Sequence, residues 1–324
     1  MASLKFNNIY LKDNYTIVGP LESDSKLKKV DLKLSDYYFG EKTLEQAEIK
    51  MQRTVLNNLL NKNNLLHKDI DLVVGGDLLD QITATGYALN KVDISFLGIY
   101  SACATFPESL IIGSMFLQNR SYKNIITITS SHNLTAEKQF RFPIEYGTPR
   151  PQTSTFTVTG SAASLLTKDD SKIKIESATI GKVTEMGIKD ANNMGAVMAP
   201  SAARTLYEHL NDLKRDASYY DLILTGDLGC IGSSIFKEYL EKVYNIKLKN
   251  HLDAGCELYL NSQEVYAGGS GPACLPILLF NKILLNKKYK KILIIGTGAL
   301  HSKTLVNQKL EIPAISHAVS LEVL

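Results

Sequence analysis

Cys103 lies in the stretch Leu97 to Pro107, LGIYSACATFP, where an apolar strand-like start gives way to small residues and Pro107 opens an apolar-periodic helix. A thiol at such a strand-to-helix junction meets unpaired amides and the positive end of a helix dipole, which lower its pKa and favour an anion. Nucleophilic cysteines are commonly placed in this way. A buried cysteine that only packs is the competing reading. A second concentration of chemistry closes the strand KNIITITSSHN, where His132 and Asn133 stand at the strand end at which ligands of open α/β sheets gather. A core histidine satisfied by backbone fits the same position. The loop QFRFPIEYGTPRPQTSTF then offers Arg141, Tyr146 and Arg150 among aromatics and prolines, as irregular segments that line a site do. Arg141 either supplies charge there or pairs on the surface with Glu137 or Glu145.

Further along, Ser270 sits in VYAGGSG and His301 closes the glycine loop GTGALH, where an imidazole would titrate near neutrality. His317, in AISHAVSLEV, reads as structure or as a wall of a second-half pocket. Asp77 and Asp227 each follow a strand, and their duplication favours a structural turn role. Cys230, Cys256 and Cys274 have no CxxC spacing and no histidine cluster, so they read as reduced packing residues, with no disulfide frame and no metal site.

These residues need a frame. Residues 1–40 are polar, without a strong period, and read as a covering arm. Thr43 and Gln46 make a capping box before a helix whose inward face is Leu44, Ala47, Met51, Val55 and Leu59. A buried strand from Leu72 to Val74, a helix from Gln81 to Asn90, a helix from Glu108 to Asn119 and the strand before His132 complete a first half, 41–168. KDDSK marks the crossing into a second half, 169–324, with an alternating strand KIKIESATIG and a helix from Ala202 to Leu213. The halves repeat. DLVVGGDLLDQ resembles DLILTGDLGCI at an offset of 150 positions, and SYKNIITITSS resembles KYKKILIIGTG at an offset of 167. In the second register Cys103 falls opposite Ser270. Strands alternating with helices imply mostly parallel sheets covered on both faces, and a duplicated half places the site between the halves.

Composition narrows the function. A chain of 324 residues with a net charge of +3, its basic residues scattered, argues against a dedicated nucleic-acid surface. The opening MASLKFNNIYLKDN lacks the apolar core of a signal peptide, and no unbroken apolar run reaches membrane-spanning length.

The duplicated α/β halves with a turn cysteine resemble the thiolase superfamily, which implies a five-layered αβαβα fold. More specifically, GDLLDQ, SSHNLTAEKQFRFPIEYG, TVTGSAASLL, DLILTGDLG, VYAGGSG, TGALHS and IPAISHAVS resemble the stage V sporulation protein AD family of spore-forming bacteria. That resemblance implies a non-catalytic protein that binds dipicolinic acid (pyridine-2,6-dicarboxylate) and helps its uptake into the developing spore. It implies a soluble protein without a cofactor, peripheral to the spore inner membrane, acting beside membrane-embedded stage V sporulation proteins of the same set. A homodimer, common among thiolase relatives, is a further partner it allows. The pocket would lie at Cys103. A flat dianion asks for donors to two carboxylates and a planar wall, for which His132, Asn133, Arg141, Tyr146, Arg150, Ser270 and His301 are the candidates. The alternative is an acyl-CoA-dependent thiolase or ketoacyl-synthase-like acyltransferase using Cys103. Against it, valine (Val265) stands where the thiolase histidine segment would place its histidine, and the loop at Gly296 to His301 carries no second cysteine. A scaffold that only docks membrane partners is the third reading.

Overall fold

The computed structural model describes residues 2–119, 121–141 and 149–324. The chain opens with β1 (Ser3–Lys5), β2 (Tyr10–Val18), the short α1 (Pro20–Ser23) and β3 (Leu32–Lys33). Then come α2 (Leu44–Lys62), β4 (Leu72–Gly76), α3 (Thr83–Ala88), β5 (Phe96–Gly98) and α4 (Thr105–Gln118). β6 (Asn124–Ser131), α5 (Asn133–Phe140), β7 (Phe156–Thr157) and β8 (Gly160–Thr167) follow. The rest of the chain contributes β9 (Ile173–Thr179), α6 (Met194–Leu213), β10 (Leu222–Thr225), α7 (Gly229–Tyr244) and β11 (His251–Asp253). It ends with α8 (Ala254–Leu258), β12 (Gly269–Ser270), α9 (Cys274–Leu278), β13 (Lys291–Ala299), α10 (Lys303–Asn307) and β14 (Ala314–Val323).

Ten of these strands form one path, β11-β10-β13-β14-β9-β2-β8-β6-β4-β5, whose two flanks mirror each other in connectivity. On one flank β4 runs parallel to β5 and β6; on the other β10 runs parallel to β11 and β13. Antiparallel β8 and β2, and β14 and β9, lead inward, and the flanks meet where Tyr10 and Leu11 pair with Lys174 and Ile173. The repeated strings fall on equivalent strands and do the same work. Asp71 accepts from the amides of Lys123 and Asn124 at 2.7 and 2.9 Å, and Asp221 accepts from those of Lys290 and Lys291 at 2.7 and 2.8 Å.

Alternation along the strands builds the layers, because successive side chains leave opposite faces. Val73, Ile126, Ile128, Ala163 and Leu165 pack with Met51, Val55 and Leu59 of α2 on one outer side. Ile223, Leu293, Ile295 and Ala318 pack with α6 and α7 on the other. The intervening residues, Leu72, Val74, Ile125 and Leu166 with Leu222, Leu224, Ile292 and Ile294, enclose α4 and α9 in a core common to both flanks. Phe106 and Phe280 meet edge to face there, 5.8 Å apart. Helix, sheet, helices, sheet, helices is the five-layered αβαβα arrangement that the resemblance to thiolases implied. Among the described residues no helix is long and apolar enough to cross a membrane.

Two expectations shift. Residues 10–18, read as part of a covering arm, form a sheet strand; a register shift between Leu11 and Asp13 breaks the alternation that would have announced it. α6 starts at Met194, eight residues before the expected Ala202, and carries Pro200 inside it. The first two turns of α6 therefore stand where the sequence suggested a loop.

Candidate functional site

The turn carrying Cys103 is held by its own backbone and backed by the opposite flank. Thr105 Oγ1 accepts from the Ser101 amide at 3.1 Å and donates to the Ala102 carbonyl at 2.7 Å. Ala102 takes a φ of +49°, a left-handed conformation unfavourable for a residue with a Cβ. That bend turns Cys103 out of the strand direction just before α4. From the second flank, β13 presses against this turn at glycines: a Cβ on Gly298 would lie 2.2 Å from the Ser101 carbonyl oxygen, and one on Gly296 would lie 2.5 Å from Pro107 Cγ. The reverse contact uses β6, whose Thr129 hydroxyl donates to the Pro272 carbonyl at 3.0 Å. Each flank thus supports the other's turn, and Cys103 and Ser270 come to line the same cleft.

The cleft is open to solvent, and its empty space, including the open part, is ≈ 560 Å³. Half-buried Cys103 and the buried Ser270 and Thr157 line it, with β7 and β12 pairing in parallel to place the last two. Tyr100, Phe140 and His301 offer flat faces, and Phe140 and His301 lie 5.6 Å apart at a tilt of 49°. Glu137 on α5 and Arg141, its C-cap one turn on, bring charge, with 2.9 Å between Arg141 Nη1 and Glu137 Oε1. Arg141 also donates to the Thr155 carbonyl at 3.1 Å, and Arg150 reaches the other oxygen of Glu137 at 2.8 Å. Two guanidiniums share one carboxylate, so this wall carries a net positive charge. Burial lowers Arg141, but a guanidinium stays charged at neutral pH.

Cys103 does not have the depressed pKa expected from its position. Burial first, and the buried Asp227 carboxyl second, push its thiol well above the ordinary value, so it is protonated at neutral pH. The nearby helix amides do not offset this, because those of Ala104 and Thr105 are spent on the Ser101 and Ala102 carbonyls. His301 is lowered to about 4 by burial and by Arg141, which leaves a neutral imidazole, and its Nδ1 has no partner among the described residues.

Of the residues proposed from sequence, Cys103, Arg141, Ser270 and His301 line the cleft. His132 and Asn133 do not. His132 caps α5: its Nδ1 accepts from the Leu134 amide at 3.2 Å, which leaves Nε2 to donate to the Tyr37 carbonyl at 2.9 Å. Asn133 is buried with its amide on Thr159 Oγ1 at 3.0 Å. Arg150 acts from behind, through Glu137 and 5.9 Å from the Tyr266 ring centroid. Tyr146 lies outside the described residues. His317 accepts from the Gly181 amide at 3.2 Å, a structural role. Val265 is buried and away from the lining, and the titratable group that the second flank brings into the cleft with Cys103 is His301.

Sequence reading missed Glu137 as a cleft residue, although its i,i+4 spacing to Arg141 was visible. It also missed Met194 and Met198, which enter the cleft because α6 starts early. Cys230 and Cys256 were misread as reduced packing thiols. They form a disulfide, with Cα atoms 4.8 Å apart across 26 positions. Asp253 brings them together by accepting from the amides of Gly229 at 2.9 Å and Cys256 at 3.1 Å, a tertiary clamp that spacing alone does not reveal. Cys103 and Cys274 are free.

A family model described as stage V sporulation protein AD matches residues 2–322. The stage V sporulation protein AD of Bacillus subtilis (strain 168) is 41% identical over 319 residues, 97% of this chain and 94% of that protein. Among solved structures, a variant of OleA from Xanthomonas campestris superposes with a TM-score of 0.62 at 13% identity, covering 98% of this chain and 99% of its own. The 3-oxoacyl-[acyl-carrier-protein] synthase III of Aquifex aeolicus VF5 superposes with a TM-score of 0.55 at 14% identity, covering 97% of each. At these identities the structural likenesses establish the thiolase-like fold alone.

Proposed function

The chain belongs to the stage V sporulation protein AD family, and from that premise we propose that it binds dipicolinate in the cleft between its halves without transforming it. The observation that carries this reading is the pairing of a protonated thiol with a net-positive wall, Cys103 facing the cleft that Arg141 lines. An anion is attracted there while no thiolate is present to attack it. One carboxylate of the ligand goes toward Arg141, and the pyridine ring lies against Tyr100, Phe140 or His301, whose faces suit a flat aromatic acid. In this reading the protein serves dipicolinate uptake into the developing spore, held at the spore inner membrane by membrane-embedded stage V proteins that receive the ligand.

Acyl transfer through Cys103 is the second reading. It is favoured by His301, a neutral imidazole with a free Nδ1 lining the same cleft. It lacks an ionised nucleophile, since burial, and after it Asp227, raises the thiol's pKa. Calorimetric titration of the purified protein with dipicolinate and, separately, with an acyl-CoA decides between them. Saturable dipicolinate binding weakened in Cys103→Ala, without thioester turnover, supports the binder. A radiolabelled acyl group trapped on Cys103 overturns it.

A further inference from the structure

The disulfide described above backs the strand that carries Ser270. Cys230, in the first turn of α7, is bonded to Cys256, in α8, with Cα atoms 4.8 Å apart. One ribbon of backbone, residues 267–270, touches both turns and ends at the cleft with β12. The Cys230 amide donates to the Ala267 carbonyl at 2.7 Å. On the other turn, a Cβ on Gly255, next to Cys256, would lie 2.1 Å from the Gly269 carbonyl oxygen, so the two backbones touch with no side chain between them. The ribbon's other edge is held by β7 and the residue after it, the Phe156 and Val158 amides donating to the Gly268 and Ser270 carbonyls at 2.8 Å each. Ser270 thus brings to the cleft a hydroxyl, a donor suited to a carboxylate, from a strand that rests on the bridged turns.

The crosslink is placed where it can be opened and closed again. Cys230 is exposed and Cys256 half-buried, so a small dithiol reaches the bridge from solvent. The exchange balances: the dithiol gives up two electrons and two protons, the sulfur–sulfur bond becomes two thiols, and the dithiol closes into its own disulfide. Sulfurs that are no longer bonded must part to van der Waals contact, which pushes the two turns away from each other. Asp253 limits that movement, because its Oδ1 accepts from the amides of both Gly229 and Cys256, at 2.9 and 3.1 Å. The thiols therefore stay near enough to re-form the bond. What displacement remains falls on the ribbon, which has no free space against either turn: a Cβ on Gly229 would lie 2.5 Å from the Ala267 carbonyl oxygen.

We propose that the Cys230–Cys256 bridge is a redox-sensitive brace that positions Ser270, so that the cleft holds its ligand tightly while the bridge is closed and weakly once a dithiol has opened it. This rests on the ligand-binding reading above. Cys230 and Cys256 do not line the cleft; they are positioning residues that act through the ribbon from Ala267 to Ser270. Coupling of this kind is reciprocal. Whatever factor the closed bridge adds to affinity, bound ligand adds to the resistance of the bridge to the dithiol.

The test is calorimetric titration of dipicolinate into the oxidised protein and into protein reduced with dithiothreitol, for the wild type, Cys230→Ser and Cys256→Ser, with alkylation and mass spectrometry reporting which cysteines are open. The oxidised wild type should bind about fivefold or more tightly than the reduced one, and reoxidation should restore the difference. Both serine variants should match the reduced wild type and ignore the dithiol, which separates the bridge from any oxidation at Cys103. Equal affinity in the two wild-type states, or a dithiol effect that persists in the variants, overturns the inference and leaves the ligand reading standing. Hydrogen exchange reads the brace without ligand and without variants. The Ala267 and Gly268 amides, which donate to the Ser154 and Val265 carbonyls at 2.8 and 2.9 Å, should exchange faster in the reduced wild type. A wild type that binds no dipicolinate in either state overturns the ligand reading, and unchanged exchange at these amides overturns the brace.

Discussion

At the scale of single residues, the cleft is a set of opposed charges around a neutral thiol. Arg141→Gln removes a charged donor next to Glu137, and dipicolinate affinity should fall roughly 10- to 100-fold, or ~1.5–3 kcal/mol, as read by calorimetry. Unchanged affinity would place the ligand elsewhere. Cys103 should react slowly with iodoacetamide at neutral pH compared with a free thiol, and faster as pH climbs toward its raised pKa. Fast alkylation at neutral pH would mean a thiolate and revive the enzyme reading. At this scale the sequence was half legible. Cys103, Arg141, Ser270 and His301 stood out because their types suit anion or proton chemistry, and all four reach the cleft. His132 stood out for the same reason but serves as a helix cap, which its sequence position at a strand end does not distinguish from a ligand contact.

At the scale of elements, the contacts between turns and opposing strands decide where the cleft can form. Gly298→Ala would drive a Cβ to 2.2 Å from the Ser101 carbonyl, so the turn or β13 must move. We expect a loss of about 1–3 kcal/mol in a denaturant titration, with weakened ligand binding, since the displaced turn carries Cys103. The Cys230–Cys256 bridge closes a segment of 26 positions between α7 and α8. Chain entropy assigns such a crosslink about 3.5 kcal/mol, so Cys256→Ser should lower the melting temperature of the oxidised protein, with little effect on the reduced one. Elements were legible where the pattern is local: the Leu44, Ala47, Met51, Val55 and Leu59 face of α2 is buried as its spacing predicts, with Thr43 Oγ1 accepting from the Gln46 amide. They were illegible where a bulge reset the period, as in β2, or where a proline sat inside a helix, as in α6.

At the scale of the whole molecule, the two flanks share one core, and buried acids lie within it and along its outer layers. Glu22, pinned between the Thr159 amide and the Tyr259 hydroxyl, links α1 to the segment after α8, and burial raises it to about 7. Burial likewise raises Glu48 to about 8 and Asp253 to about 7. A carboxyl raised on folding binds more protons in the native state, so stability falls as pH climbs from the unfolded value through the folded one. His209 and His317, lowered by burial to about 3 and about 4, act oppositely but only below the unfolded histidine value near 6.5. From about pH 6.5 to 8 only the acids are left, and the melting temperature should decline, less steeply in Glu22→Gln; a rise over that interval would refute this. The repeat was legible at this scale because Asp71 and Asp221 tie equivalent strands, while the side chains that the two flanks turn into the cleft depend on tertiary neighbours that no repeat encodes.

The most direct measurement is a crystal structure of the protein grown with dipicolinate. Density for the ligand between Cys103 and Ser270, with a carboxylate within hydrogen-bond distance of Arg141 and the sulfur unmodified, is the expected result. A cleft without ligand while dipicolinate binds elsewhere, or an acyl group covalently attached to Cys103, would contradict it.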